Sequence, residues 1–298
     1  MSGLAEETAK TYRGNCHCGA FIFEVKVPEI KSASACDCSI CSKKGYVWLV
    51  ATSDAVNVVK DEGLLVDYAF GAKSLVHKFC GKCGTATMAS MADPSAKTVL
   101  INIRAFQDFD VWGLEIRKRD GAKHGDPYQA TPYTGPEPAA QLDGDDVHVY
   151  HGSCHCGAVT AAVKVDGALG GSYKGMVLEC DCSICARGGY IWIYPTKEQV
   201  RVVERDGLGA NLSHYVFGST VWRKAFCRTC GVHLMNDLNP LSDAEVAALP
   251  EPARQFRAVR GHARPVTLRA FLDGAELDGL APQHSTRGKT LEPLYVNP

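Results

Sequence analysis

The sequence predicts a mainly β protein made of two tandem copies of one cysteine-rich, metal-pinned domain. Three observations carry this. Fourteen cysteines fall into two copies of a single seven-cysteine pattern. The segments around them are short, β-branched or aromatic, and bounded by turn residues. A helix signature stands out in a short helical insertion of the second copy, and few residues outside it show a helical period. The expected domains are residues 12–119 and 150–298, separated by a linker at 120–149, with the insertion at about 237–262.

The first copy reads Cys16-His17-Cys18-Gly19, then Cys36-Asp37-Cys38-Ser39-Ile40-Cys41, then Phe79-Cys80-Gly81-Lys82-Cys83-Gly84. The second reads Cys154-His155-Cys156-Gly157, then Cys180-Asp181-Cys182-Ser183-Ile184-Cys185, then Phe226-Cys227-Arg228-Thr229-Cys230-Gly231. The likeness extends beyond cysteine: Tyr68 to Gly71 answers Tyr215 to Gly218, and Arg104-Ala105-Phe106 answers Arg269-Ala270-Phe271. The offset between copies grows from 138 to 165, so the second copy carries insertions. Two copies at so long a period are a duplicated domain, not a solenoid.

Taken in order, Phe21, Phe23, Val25 and Val27 alternate with Glu24 and Lys26 as a half-buried strand leaving the first knuckle. Tyr46 to Val50, Val56 to Val59, Leu75 to Phe79 and Thr98 to Ile103 read as further strands. Asp120 to Val149 is rich in Gly, Pro, Asp and Thr without periodicity, an extended linker that can lie over the first domain. In the insertion, Ser242 and Glu245 form a capping box, Val246 to Leu249 continue the helix, and Pro250 stops it.

With 298 residues the chain has room for two domains, each able to bury its own core. Hydrophobic residues at 46% and charged residues at 22% fit a soluble globular protein. A net charge of −1 with no long basic run removes the footprint of a nucleic-acid binder. Met1 to Thr11 lacks an apolar signal region, no run reaches a membrane span, and Ser2 stands where myristoylation needs glycine. The expectation is a cytoplasmic protein with no membrane partner, whose thiols stay reduced and free for metal.

Seven thiols cannot pair fully as disulfides, but they divide into four plus three, a closed zinc site and an open one. Two glycine-followed knuckles make the closed set, Cys16, Cys18, Cys80 and Cys83, leaving Cys36, Cys38 and Cys41. The second copy groups Cys154, Cys156, Cys227 and Cys230 against Cys180, Cys182 and Cys185, giving up to four zinc ions per chain. Spacing alone also permits the three-thiol cluster to donate to the closed site. No fourth ligand stands beside that cluster: His17 and His155 lie between ligands, and His77 and His214 are not matched between copies. Zn²⁺ with three thiolates carries a formal −1, which makes it poor at generating hydroxide. It is suited to holding a substrate thiol as a nucleophilic thiolate.

The motifs Cys-His-Cys-Gly-Ala, Cys-Asp-Cys-Ser-Ile-Cys and Phe-Cys-x-x-Cys-Gly, each present twice, resemble the family of glutathione-dependent formaldehyde-activating enzymes and centromere protein V. The resemblance covers roughly Tyr12 to Asp110 and Tyr150 to Asp273 and marks a tandem member. It implies two β-tent domains, a four-cysteine zinc and a second zinc on the C-x-C-x-x-C cysteines of each. It also implies carbon–sulfur lyase chemistry on glutathione adducts, with S-hydroxymethylglutathione the namesake product.

Lys43, Lys44 and Arg187 follow the three-cysteine clusters and are candidates to hold a glutathione carboxylate. Tyr46 and Tyr190, with Trp48 and Trp192, are candidates to line a pocket, with a place in the core as the competing reading. Arg104 and Arg269 suggest a shared structural role. No Ser-His-Asp pattern is present and no catalytic acid or base is nominated. The leading expectation is a zinc-dependent carbon–sulfur lyase or thiol-adduct enzyme. The alternative is a non-catalytic zinc-stabilised binding or scaffold module.

Overall fold

Apolar alternation lays down the same pair of sheets twice. The computed structural model describes residues 8–298, so the part of the N-terminal reading that concerns residues 1–7, Ser2 included, lies outside the described residues. In the first copy a three-stranded antiparallel sheet orders Lys10–Asn15, Phe21–Val27 and Val56–Asp61. A seven-stranded sheet runs Glu115–Arg119, Ser32–Cys36, Trp48–Thr52, Thr98–Asn102, Ala86–Met91, Leu75–Cys80 and Leu65–Tyr68. In the second copy the small sheet is Val147–Ser153, Val159–Asp166 and Val200–Glu204. The large one runs Gln283–Ser285, Leu178–Cys180, Trp192–Ile193, Val266–Thr267, His233–Leu238, Trp222–Cys227 and Leu212–Val216. In both, the edge strand beside the Cys-x-Cys strand is parallel to it. The protein is mainly β, as the spacing of turns and β-branched runs predicts.

Four short helices bear on function. α1 (Ser39–Lys44) and α2 (Ser183–Gly188) follow the Cys-x-Cys strands; α3 (Asp243–Ala248) and α4 (Glu251–Arg260) fill the insertion. α3 has the expected capping box, Ser242 accepting from the Glu245 N–H. Pro250 does more than stop it: as N-cap it starts α4, where Pro252 in the first turn loses no hydrogen bond. α1 and α2 are one and a half turns long, too short for periodicity to reveal, and the expected strand at Tyr46 begins at Trp48 instead. Among the described residues no helix is long and apolar enough to cross a membrane.

The two copies share part of their core, although each also keeps a buried cluster of its own. Ile40, Trp48, Phe79 and Ala89 of the first copy join Val159, Ile193, Phe226 and Leu234 of the second in one buried cluster. The copies meet on a pseudo-twofold axis where the left-handed C-cap glycines of α1 and α2, Gly45 (φ 59°) and Gly189 (φ 56°), face each other. Arg104 Nε donates to Gly45 O at 2.7 Å, and Arg269 Nε donates to Gly189 O. Both guanidiniums are buried, which lowers their pKa by desolvation. The matched Arg-Ala-Phe segments thus clamp the axis.

The repeat also reaches into the stretch expected to be a linker. Gly121 and Tyr128 correspond to Gly288 and Tyr295 at an offset of 167. Both segments run as arms over a three-cysteine cluster: the N–H groups of Gly121 and Ala122 donate to Asp37 Oδ1 at 2.7 and 2.9 Å, those of Gly288 and Lys289 to Asp181 Oδ1 at 2.7 and 3.3 Å. Tyr128 Oη donates to His155 O and Tyr295 Oη to His17 O, each at 2.8 Å. Past its arm, the linker crosses to the second copy, where Ala140 N–H donates to Glu198 O.

A side chain at the axis has nowhere to go, since a Cβ on Gly189 would lie 2.7 Å from Arg104 Nε in a left-handed backbone. Gly189→Ala should therefore destabilise the protein by about 2 kcal/mol. Urea unfolding measures this, and a loss within error of zero would refute the tight axis.

Candidate metal centres

Each four-thiol group is built where a hairpin end meets a knuckle. Cys16 closes the strand Lys10–Asn15 and its Sγ accepts from the Phe21 N–H at 3.3 Å; Cys154 and Val159 repeat this at the same distance. Cys80 ends the strand Leu75–Cys80 and its carbonyl oxygen accepts from the Gly84 N–H at 2.8 Å, as that of Cys227 does from Gly231. The thiols of Cys16, Cys18, Cys80 and Cys83 lie within 4.8 Å of one another, and so do those of Cys154, Cys156, Cys227 and Cys230. Cys16–Cys18 and Cys18–Cys80 are 3.6 Å apart. Four sulfurs placed tetrahedrally at 2.3 Å from zinc stand about 3.8 Å apart, so the donor set fits that ion.

Cys36, Cys38 and Cys41 form a separate group within the same 4.8 Å limit, as do Cys180, Cys182 and Cys185. The partition with mixed ligand sets is not the one the fold makes. Each group takes one thiol from a strand end, one from the helix N-cap and one from inside the first helical turn. The Cys38 N–H points at Cys36 Sγ (3.5 Å) and the Cys182 N–H at Cys180 Sγ (3.4 Å). The indole N–H of Trp48 donates to Cys41 Sγ at 3.2 Å, and that of Trp192 to Cys185 Sγ at 3.3 Å. Such donors stabilise a thiolate and fix its direction. The third thiol in each cluster is buried and the other two are half-buried, leaving one side of the cluster approachable.

The knuckle histidines cross between copies, which spacing within one copy does not reveal. His17 Nε2 bonds Ser183 Oγ at 2.9 Å and its Nδ1 bonds Tyr215 Oη at 3.0 Å. His155 mirrors this with Ser39 Oγ at 2.9 Å and Tyr68 Oη at 2.6 Å. Tyr295 stacks on His17 at 4.4 Å and Tyr128 on His155 at 4.5 Å. Burial, aided by Arg187, pushes His17 down to about 4; burial, aided by Lys43, pushes His155 down to about 3. Both rings are neutral at neutral pH. Each four-thiol knuckle therefore holds a serine that adjoins the middle cysteine of the other copy's three-thiol cluster.

The candidate substrate contacts take different places. Lys43 Nζ donates to the carbonyls of Ser153 (3.1 Å) and Ala270 (3.2 Å) of the second copy. Lys44 Nζ donates to Cys230 O at 3.0 Å over the Phe79 ring, and burial lowers its pKa to about 8. Tyr46 is buried against Trp48 at 4.0 Å, and Tyr190 is buried beside Trp192. The two lysines build the contact between copies, and the two tyrosines lie in the core. Arg187 bonds Asn15, Ser183 and Asn297, and it also lines a cavity of about 1430 Å³ that reaches Cys182. Sequence reading missed Asp37 and Asp181 as arm anchors and Ser39 and Ser183 as histidine partners. The signal was present, since each is repeated inside the matched Cys-Asp-Cys-Ser motif.

The sequence matches the model of the glutathione-dependent formaldehyde-activating enzyme family over residues 11–117 and 149–251, once per copy. It is also similar to a solved structure of a Rhodobacter sphaeroides protein, with 27% identity over 35% of this chain and 99% of that one, at a TM-score of 0.31.

Metal analysis should return one zinc per cluster, four per chain, with the closed sites resisting exchange. Cys80→Ser or Cys227→Ser should lose a zinc and the cooperative thermal transition together, because metal affinity at a knuckle is folding free energy. Cys38→Ser should lose a zinc and keep the transition. A closed-site variant that unfolds like wild type would refute this division.

Proposed function

The chain belongs to the glutathione-dependent formaldehyde-activating enzyme family, and from that membership and its paired three-thiol clusters we propose a zinc-dependent carbon–sulfur lyase. Its substrates are a glutathione conjugate or another small thiol adduct. The observation that carries this reading is a metal-ready cluster of three thiols whose donor group contains no fourth cysteine, histidine or carboxylate among the described residues. Zinc bound there would supply a position at which a substrate sulfur is held as a thiolate and its pKa lowered.

The chain's own residues would do the rest. Trp48 and Trp192 donate to one thiol of each cluster, drawing charge off the sulfur. Asp37 and Asp181 fix the arms over the clusters. In the namesake direction a thiol adds to formaldehyde: a carbon–sulfur bond forms, the carbonyl π pair moves to oxygen, and the thiol proton ends on that oxygen. The hydroxyls of Ser39 and Ser183 adjoin Cys38 and Cys182, and each is hydrogen-bonded to a neutral histidine. They are placed to pass that proton.

The test is exchange NMR on glutathione and formaldehyde, which reads the adduct's interconversion above its uncatalysed rate. The doubly substituted Cys38→Ser, Cys182→Ser chain should lose at least about 100-fold in that excess, beyond what a lost supporting hydrogen bond costs. Full retention with an intact circular dichroism spectrum would leave the scaffold reading in its place.

A further inference from the structure

The two three-thiol clusters are built alike, but their surroundings are not. The cavity that reaches Cys182 has Ser183 and His17 on the same wall. Its lining also carries the apolar side chains Phe217, Trp222 and Phe256, with Phe217 edge to face against His17 at 5.5 Å. Trp222 and Phe256 meet edge to face at 6.4 Å, which ties α4 to the strand Trp222–Cys227. At about 1430 Å³ the cavity exceeds the roughly 300–1,000 Å³ of ordinary small-molecule sites.

Trp222 and Phe256 are specific to the second copy, whereas Phe217 answers Phe70 of the first. Leu75 occupies the position matching Trp222, and the turn Ala92 to Lys97 stands where the second copy inserts α3 and α4. Beside the first cluster, Gly274 at the head of α5 (Gly274–Asp278) packs on the segment that carries it, where a Cβ would lie 3.1 Å from Ser42 Oγ and 3.4 Å from Asp37 O. The matching segment of the first copy, around Phe109 and Asp110, lines the cavity instead. The charge environment differs too. Lys224 Nζ lies 3.7 Å from Cys185 Sγ and over the Trp192 ring at 4.1 Å. His77 takes the matching place beside the first cluster. A buried cation there offsets the negative charge of three thiolates.

We propose that the second cluster, Cys180, Cys182 and Cys185, is the working centre, and that its substrate is a thiol adduct whose sulfur carries an extended apolar or aromatic group seated against Phe217, Trp222 and Phe256. This rests on the lyase reading and names its substrate class. The reaction in the release direction needs no further reagent. The carbon–sulfur bond of a hemithioacetal breaks with its electron pair left on sulfur, the O–H pair of the adduct's hydroxyl becomes the new carbonyl π bond, and the freed proton returns to the sulfur through Ser183. A formaldehyde adduct would leave these apolar side chains unused.

Calorimetry with the unreactive thioethers S-methylglutathione and S-hexylglutathione tests the cavity without turnover. The zinc-loaded chain should bind the hexyl compound at least about tenfold more tightly, because five more methylenes leave water. Phe256→Ala, at a side chain 45% exposed, should bring the ratio toward one, and so should Trp222→Ala. Leu75→Ala in the first copy should leave it unchanged. Equal affinities, or a preference that survives both truncations, would overturn the cavity assignment. Exchange NMR on adducts of glutathione with formaldehyde and with phenylacetaldehyde tests the centre: Cys182→Ser should cost the enzymatic excess at least about tenfold more than Cys38→Ser does. Equal losses would overturn the single working centre. A chain-length preference in binding with no turnover of any adduct would sink the lyase reading and leave the cavity standing.

Discussion

Four thiols gathered within 4.8 Å, three of them buried, are the constraint on which the remaining structure hangs. Without a cation their ionised forms repel and their neutral forms waste the gathering. With one they tie the first hairpin of a copy to the hairpin around Cys80 or Cys227, segments far apart in sequence. The knuckle so fixed carries a histidine that cannot reach its own three-thiol cluster and bonds the serine of the other. Positions of the helices α1 and α2, and through them of the three-thiol clusters, thus depend on closed sites in the opposite copy. Fold and candidate site are one mechanical unit.

That interlock joins across space two copies that lie apart in sequence. Repeated motifs report what each copy contains; they are silent on which copy a side chain faces. The cysteine partition was legible because ligand spacing is a local property, and the strands Phe21–Val27, Leu75–Cys80 and Thr98–Asn102 were legible because alternation is. α1 and α2 were not, since six residues cannot display a 3.6-residue period. α4 was hidden by Pro250, which ends one helix and caps the next. The arms were hidden by composition: a Gly- and Pro-rich stretch looks like a spacer even when Gly121 is there because a Cβ would collide with Cys36 Sγ.

The candidate substrate cations show the same limit from the other side. Lys43 and Lys44 stand beside a metal cluster in sequence, and proximity suggested a ligand carboxylate. The fold turns both toward carbonyls of the second copy, where the ends of helices and knuckles offer unpaired oxygens. Arg187, the counterpart of Lys43, spends its donors on Asn15, Ser183 and Asn297, yet it keeps a face on the cavity. Residues alike in sequence position have diverged in what they touch.

Divergence of this kind is what an interlocked duplication permits. Each copy is needed by the other for a knuckle histidine, so neither can be lost, and the pseudo-twofold axis holds both in register. Only a site's outer wall is free to change. In the second copy that freedom was taken up by Trp222, by the helices α3 and α4, and by a lysine beside Cys185. The first cluster has α5 packed beside Asp37 and Ser42 and a histidine where that lysine would be. Its knuckle nevertheless supplies His17 to the second cavity. The first copy can therefore be indispensable to the chemistry while carrying none of it.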